Sequence, residues 1–139
     1  MNLSEHITHE EATFSATALR MKIDNKPDAA TLLKMEEVAG QCFEPIRAWY
    51  GKPIKINSFY RSPALNAAVH GASNSQHVKG EAIDMSAGSK AENLKIYDWC
   101  KKNLSFDQLI FEYGDDSGPD WVHISYSHGH NRNQMLRIK

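Results

Sequence analysis

The sequence is short of cysteine: only Cys42 and Cys100 occur, and neither sits in a C-x-x-C pair. That argues against a zinc site built on paired thiolates, and a count of two does not imply a disulfide. Buried free thiols are the expectation. The opening Met1-Asn2-Leu3-Ser4-Glu5-His6 lacks both a basic cluster and an apolar run, so no secretory signal peptide is expected. Synthesis in the cytoplasm follows, and a substrate outside the membrane would require another agent to release the protein. No segment approaches the roughly 18 apolar residues of a membrane span. Charge of one sign is also missing: 16 Lys and Arg face 17 Asp and Glu, a net charge of -1. No general pull toward nucleic acid or an anionic membrane results, and neither is expected as a partner. Internal repeats, linkers and low-complexity tracts are lacking too, so one domain over 1–139 is expected. Its 41% hydrophobic and 24% charged residues are ordinary for a globular chain able to bury a core without staples.

What is present reads as helices first and strands later. Thr8-His9-Glu10-Glu11 fits a capping box opening a short helix, and Ser15 to Met21 reads as a second. Leu32, Met35, Ala39, Cys42, Phe43, Ile46 and Trp49 then recur at three- and four-residue steps, the stripe of a long helix facing the core. Pro45 should kink or divide it near Phe43-Glu44, and Gly51 should stop it. Strands are expected over 53–58, 81–86, 106–113, 121–126 and 134–138. Helices are expected from Ser62-Pro63 to about Val69 and from Ser89 to about Asn103. In the strand 106–113, Leu109, Phe111 and Tyr113 form an apolar face, with Gln108 and Glu112 opposite. The order implies an α+β domain whose small, mostly antiparallel sheet carries a site on one face, with helices packed around it.

The chemistry lies in two short stretches. Ser75-Gln76-His77-Val78-Lys79-Gly80-Glu81-Ala82-Ile83-Asp84 sets a histidine and a carboxylate seven residues apart, with a glycine between them. Asp120-Trp121-Val122-His123 supplies another such pair about forty residues later. His77, Asp84 and His123 suit a zinc ion, leaving one coordination position open; imidazole and carboxylate donors bind zinc at ~2.0–2.2 Å. An all-oxygen set would have suggested calcium or magnesium. Asp84 shares a strand face with the small residues Ala82 and Ser86, which leave room for an ion. His123 shares one with Trp121 and Ser125, so pairing of these strands would bring Asp84 and His123 together. His77 can return over that face only if the chain turns, and Gly80 permits the turn.

Asp120 would face away on a regular strand, but a bend at Gly118-Pro119 lets it swing toward the metal. There it could take a proton from water and give it to a leaving amine. The residues alone leave Asp120 between that role and capping a loop. Arg61 is likewise open: a solvated loop residue, or a cation that holds a carbonyl oxygen as charge develops. Glu81 reads as surface, Glu112 as a hydrogen-bonding anchor behind the ligands. His6, His9, His70, His128 and His130 are given no functional role.

These residues resemble a known family. Ser75-x-His77-x-x-Gly80-x-Ala82-x-Asp84 followed by Asp120-x-x-His123 is similar to the signature of the M15 zinc peptidases. That family includes D-Ala-D-Ala carboxypeptidases, D-Ala-D-Ala dipeptidases and phage L-Ala-D-Glu endopeptidases acting on peptidoglycan stem peptides. Ser58-Phe59-Tyr60-Arg61-Ser62-Pro63-x-Leu65-Asn66 resembles the stretch carrying the family's transition-state arginine. Phe106-Asp107-Gln108-Leu109-Ile110-x-Glu112 resembles the strand before the last ligand, and the opening resembles the small phage and prophage branch. The resemblance implies the hedgehog/DD-peptidase fold and a Zn2+ cofactor held by His77, Asp84 and His123. It makes Asp120 the catalytic base and Arg61 the residue that steadies the tetrahedral intermediate. Ser75 and Gln108 are assigned to substrate binding. The dipeptidases carry glutamate where this chain has Asp120, which shifts the expectation toward an endopeptidase or D,D-carboxypeptidase acting on the wall. A monomer is expected, reaching the wall by holin-like release or virion delivery. The alternative from another class is a non-catalytic wall-binding or phage tail-associated module with a structural zinc.

Overall fold

A computed structural model describes residues 2–139. The chain opens with a two-stranded ribbon, β1 (Asn2–Ser4) and β2 (Ile7–Thr8), that the sequence pattern did not suggest because each strand is too short to alternate. Thr8 then caps α1 (His9–Thr13) in the expected reciprocal box with Glu11. Ser15 caps α2 (Ala16–Met21), and Asp28 caps α3 (Ala29–Val38). Pro45 has no N–H, so the carbonyl four residues earlier loses its helical donor. The chain responds with a π turn over Ala39–Phe43, in which the Glu44 N–H donates to the Ala39 carbonyl, before α4 (Glu44–Tyr50) resumes. Gly51, left-handed at φ 73°, stops it.

The remaining elements are β3 (Lys55–Ser58), α5 (Pro63–Ala68), β4 (Ala82–Ser86), α6 (Lys90–Asn103), β5 (Gln108–Glu112), β6 (Trp121–Ser125) and β7 (Gln134–Ile138). The five-stranded sheet runs β3-β4-β6-β5-β7. It is antiparallel except at one edge, where β7 returns parallel to β5. Mixed α/β architecture of this kind agrees with the expected element order.

The two sheet faces have different tasks. Ile83 and Met85 of β4, Val122 and Ile124 of β6, and Leu109 of β5 are fully buried and join one core with Met35, Val38, Ile46, Ile96 and Cys100. Period-2 alternation then commits Asp84, His123, Ser125, Gln108, Ile110 and Glu112 to the opposite face. Tyr113 departs from its expected place on the core face. It leaves β5 at a left-handed φ of 57° and is 45% exposed. Trp49, at the end of the helical stripe, is also partly exposed and stacks on Trp99 at 5.0 Å. No helix among the described residues is long and apolar enough to cross a membrane.

Cys42 and Cys100 are free and buried. Burial pushes the Cys42 thiol up to about 12, and burial followed by the neighbouring Cys42 raises Cys100 as well. Neither is expected to react with a thiol-specific dye in the native state at pH 8, and both should react after denaturation. A fast-reacting native thiol would contradict this packing.

Candidate metal and catalytic site

On the face away from the core, β4 and β6 pair so that Asp84 stands directly opposite His123. The pairing supplies two members of the site without any loop. The third arrives from 71–80, whose turns end at Gly80 with φ 74°. A Cβ there would lie 2.8 Å from the side chains of Thr31 and Met35, so glycine is required both for the turn and for the close approach to α3. The result places His77 Nε2 3.2 Å from Asp84 Oδ2 and His123 Nδ1 2.9 Å from Asp84 Oδ1. Ligand atoms of all three residues lie within 4.8 Å of one another, and all three side chains are buried.

The hydrogen bonds around His77 test whether a cation fits. Its Nδ1 lies 2.8 Å from the Phe59 carbonyl, which can only accept. A neutral His77 must therefore carry its proton on Nδ1, and its Nε2 presents a lone pair to the Asp84 carboxylate. Two electron-rich atoms in a buried site repel one another unless a positive charge lies between them. Burial opposes ionisation of the Asp84 carboxyl, and positive charge and hydrogen bonding from His77 and His123 overcome it and hold the group far below the usual carboxylate range. With both imidazoles neutral, a bound cation would supply that charge. An ionised carboxylate with two imidazole nitrogens turned toward it is a donor set that suits zinc.

Arg61 reaches this region from the β3 side. β3 ends at Ser58, which pairs with Asp84 after a register shift from Ile56; Phe59 and Tyr60 then enter the core, and Arg61 follows. The Arg61 N–H donates to the His77 carbonyl at 3.2 Å, fixing the two loops together. Its Nη1 donates to Asn66 Oδ1 at 3.1 Å, while its buried Nε has no partner among the described residues. Burial pulls the guanidinium below its ordinary value, and Asp84 and Glu112 work in the opposite direction. Gly71 makes this arrangement possible, since a Cβ there would lie 2.0 Å from Asn66 Oδ1 and 2.8 Å from Arg61 Nη1.

Ser75 and Gln108 meet in a recess of about 300 Å³ that also touches Gln76, His123 and Arg132. Ser75 Oγ accepts from the His77 N–H at 3.2 Å, and the Gln108 side chain bonds Gln134. Asp120 is placed differently. Gly118, at φ 150°, does make the expected bend, and the Asp120 backbone is held at both ends by Glu112 and Asn93. Its carboxylate, however, is exposed in a separate recess with Ser86, Ser89, Lys90 and Asn93, outside the buried trio.

Glu112 stands nearer that trio than its sequence position suggested. Burial and then Asp84 raise its pKa, opposed by His123, Trp121 and His77. Its hydrogen bond is to Trp121 Nε1, not to a ligand histidine. Glu81, expected at the surface, is only 9% exposed: it shares the side of the chain taken by the core residues Ile83 and Met85, and its backbone bonds Gln76 and Tyr126. Asp107, Gln76 and Arg132 also escaped sequence reasoning, although Asp107 lies in a stretch already singled out. Among the remaining histidines, His6 bonds Glu44 at 2.6 Å and His128 bonds Glu37 at 2.6 Å, each tying a loop to a helix. The exposed Glu5-His6-Glu44 grouping serves that purpose.

The model of the M15 peptidases matches residues 5–125, a span that includes every residue of the trio. The chain belongs to the peptidase M15 family. A shorter segment is similar to the zinc D-Ala-D-Ala carboxypeptidase of Streptomyces albus G, 51% identical over 39 residues. That match spans 28% of this chain and 15% of the length of the Streptomyces protein.

Proposed function

We propose that this M15 peptidase is a zinc-dependent hydrolase of peptidoglycan, cutting a bond in the stem peptide or crosslink. The observation that carries the reading is the buried convergence of His77, Asp84 and His123, whose ligand atoms lie within 4.8 Å of one another while the other nitrogen of His77 is committed to the Phe59 carbonyl. His77, Asp84 and His123 would hold the ion. When bound there, zinc would supply Lewis acidity toward the scissile carbonyl and the attacking water.

The chain's own residues do the rest. Arg61, half-buried beside Asp84, offers positive charge to the carbonyl oxygen as it becomes negative. Asp120 takes a proton from the attacking water and returns it to the leaving amine. From its exposed place at the start of β6, a rotation of its side chain on substrate binding is part of this reading. Ser75 and Gln108 line the recess beside His123 and contact the peptide.

The reading treats 1–139 as one monomeric catalytic domain of hedgehog/DD-peptidase type, acting on the wall after release as an endolysin-like endopeptidase or a D,D-carboxypeptidase. A structural zinc in a non-catalytic wall-binding module would call for four protein ligands. Among the described residues, no fourth histidine, cysteine or carboxylate joins the trio. The reading is tested by release of amino groups from purified peptidoglycan. Release should stop after dialysis against a chelator and return with added zinc, and release that is indifferent to the chelator would overturn it.

A further inference from the structure

We propose that Arg132 is a specificity-determining residue that reads a free carboxylate on the peptide, next to the bond that is cut. The inference rests on the peptidase reading above and adds to it a residue outside the family's motif. Arg132 belongs to the loop before β7 and lines the same recess as Ser75, Gln108 and the candidate ligand His123. No other Lys or Arg and no carboxylate lines that recess. A peptide entering beside His123 therefore meets one fixed cation.

The guanidinium is held before any ligand arrives. Its Nε donates to Asp107 Oδ1 and its Nη2 to Asp107 Oδ2, both at 2.8 Å, and the Arg132 backbone N–H adds a third bond at 3.1 Å. Asp107 is itself 3% exposed and is anchored by Gln76 Nε2 at 2.9 Å and by backbone bonds to Ser125 and Gln134. This two-pronged grip uses one edge of the fork and fixes its plane. Nη1 has no protein partner among the described residues, and the side chain stays 57% exposed. A residue that served only to neutralise Asp107 would need none of that exposure.

The geometry suits a second carboxylate better than a neutral group. An arginine held on one edge keeps donors on the other, and a charge-assisted bond discriminates against an uncharged isostere. An adjoining recess is lined by Lys79 and Arg132 against Glu81 and Asp107, two of each sign, so the preference for an anion rests on the free edge of the Arg132 fork beside His123 and not on a net charge there.

The test uses a synthetic stem pentapeptide ending in D-Ala-D-Ala, as free acid and as C-terminal amide, and sacculi with free or amidated glutamate α-carboxyls. The zinc-loaded protein should cleave the form bearing the free carboxylate about 10- to 100-fold better in kcat/KM, chiefly through KM. Arg132→Gln should reduce that ratio toward unity, and Arg132→Lys should retain part of it. A structural role alone would lower cleavage of both forms equally and leave the ratio unchanged, which would overturn the proposal. Binding of acetyl-D-alanine and of its amide, followed by chemical-shift changes in the zinc-loaded protein, gives a readout free of cleavage. The acid alone should shift the Arg132 side-chain signal, and equal responses to acid and amide would also overturn it. Absence of any cleavage, with the acid still preferred in binding, would instead count against the peptidase reading.

Discussion

Asp120→Ala is expected to lower zinc-dependent cleavage of peptidoglycan by about 10²- to 10⁴-fold, the usual range for loss of a general acid–base group. Zinc content should stay at one per chain, because Asp120 lies outside the buried trio and makes no bond to it. The fold should also tolerate the change. Asp120 contributes its backbone to Glu112 and Asn93, and alanine keeps both bonds. The informative comparison is Glu112→Gln, since Glu112 is the other carboxyl that feels the charge of Asp84 and the two histidines. If Asp120→Ala remains active and Glu112→Gln does not, the proton transfer belongs to Glu112. The measurements are initial rates of amine release and metal analysis of the same preparations.

His77→Ala should lose the metal and the activity together. Removing a mere outer partner of a metal ligand commonly costs 10- to 100-fold in affinity, so loss of a ligand from this three-residue set should cost more than about 100-fold. Asp84→Asn should act in the same direction, because it removes the charge on which both imidazoles converge. Metal titration monitored by a competing chelator measures this without reference to turnover. Asp84 contributes to the acid response with a definite sign. Its carboxyl is held below its unfolded value, so its contribution to stability is present above about pH 4 and is lost only as pH falls through the depressed folded value. A variant that kept zinc without His77 would show that another residue supplies the ligand.

The parts of this site carried by regular strands were legible in the sequence. Alternation gave Asp84 and His123 each a face of its own strand and required only that the strands pair, and the structure pairs them with the two residues opposite one another. Pro45 and Gly51 marked the division and end of the long helix because each acts through its own backbone. Gly80 signalled the turn that returns His77, though its contact with Thr31 and Met35 depends on tertiary packing.

What the sequence did not reveal depends on contacts between distant loops. The Phe59 carbonyl that fixes the His77 tautomer is eighteen residues away, and no periodicity encodes it. Gln76 and Arg132 meet on Asp107 across 31 and 25 residues, respectively. Glu81 was misplaced for a different reason: facing away from Asp84 puts it on the side of Ile83 and Met85, which proves to be the buried side of the strand. Asp120 shows the limit most clearly. The Gly118-Pro119 bend was readable, yet the direction of the carboxylate depends on α6, which contributes Lys90 and Asn93 to its recess.

Mass spectrometry of purified sacculi incubated with the zinc-loaded protein tests the central claim most directly. Zinc-dependent appearance of fragments from hydrolysis at one defined stem or crosslink bond, absent with His77→Ala, is the predicted result. Sacculi unchanged in the presence of the fully zinc-loaded protein would contradict it.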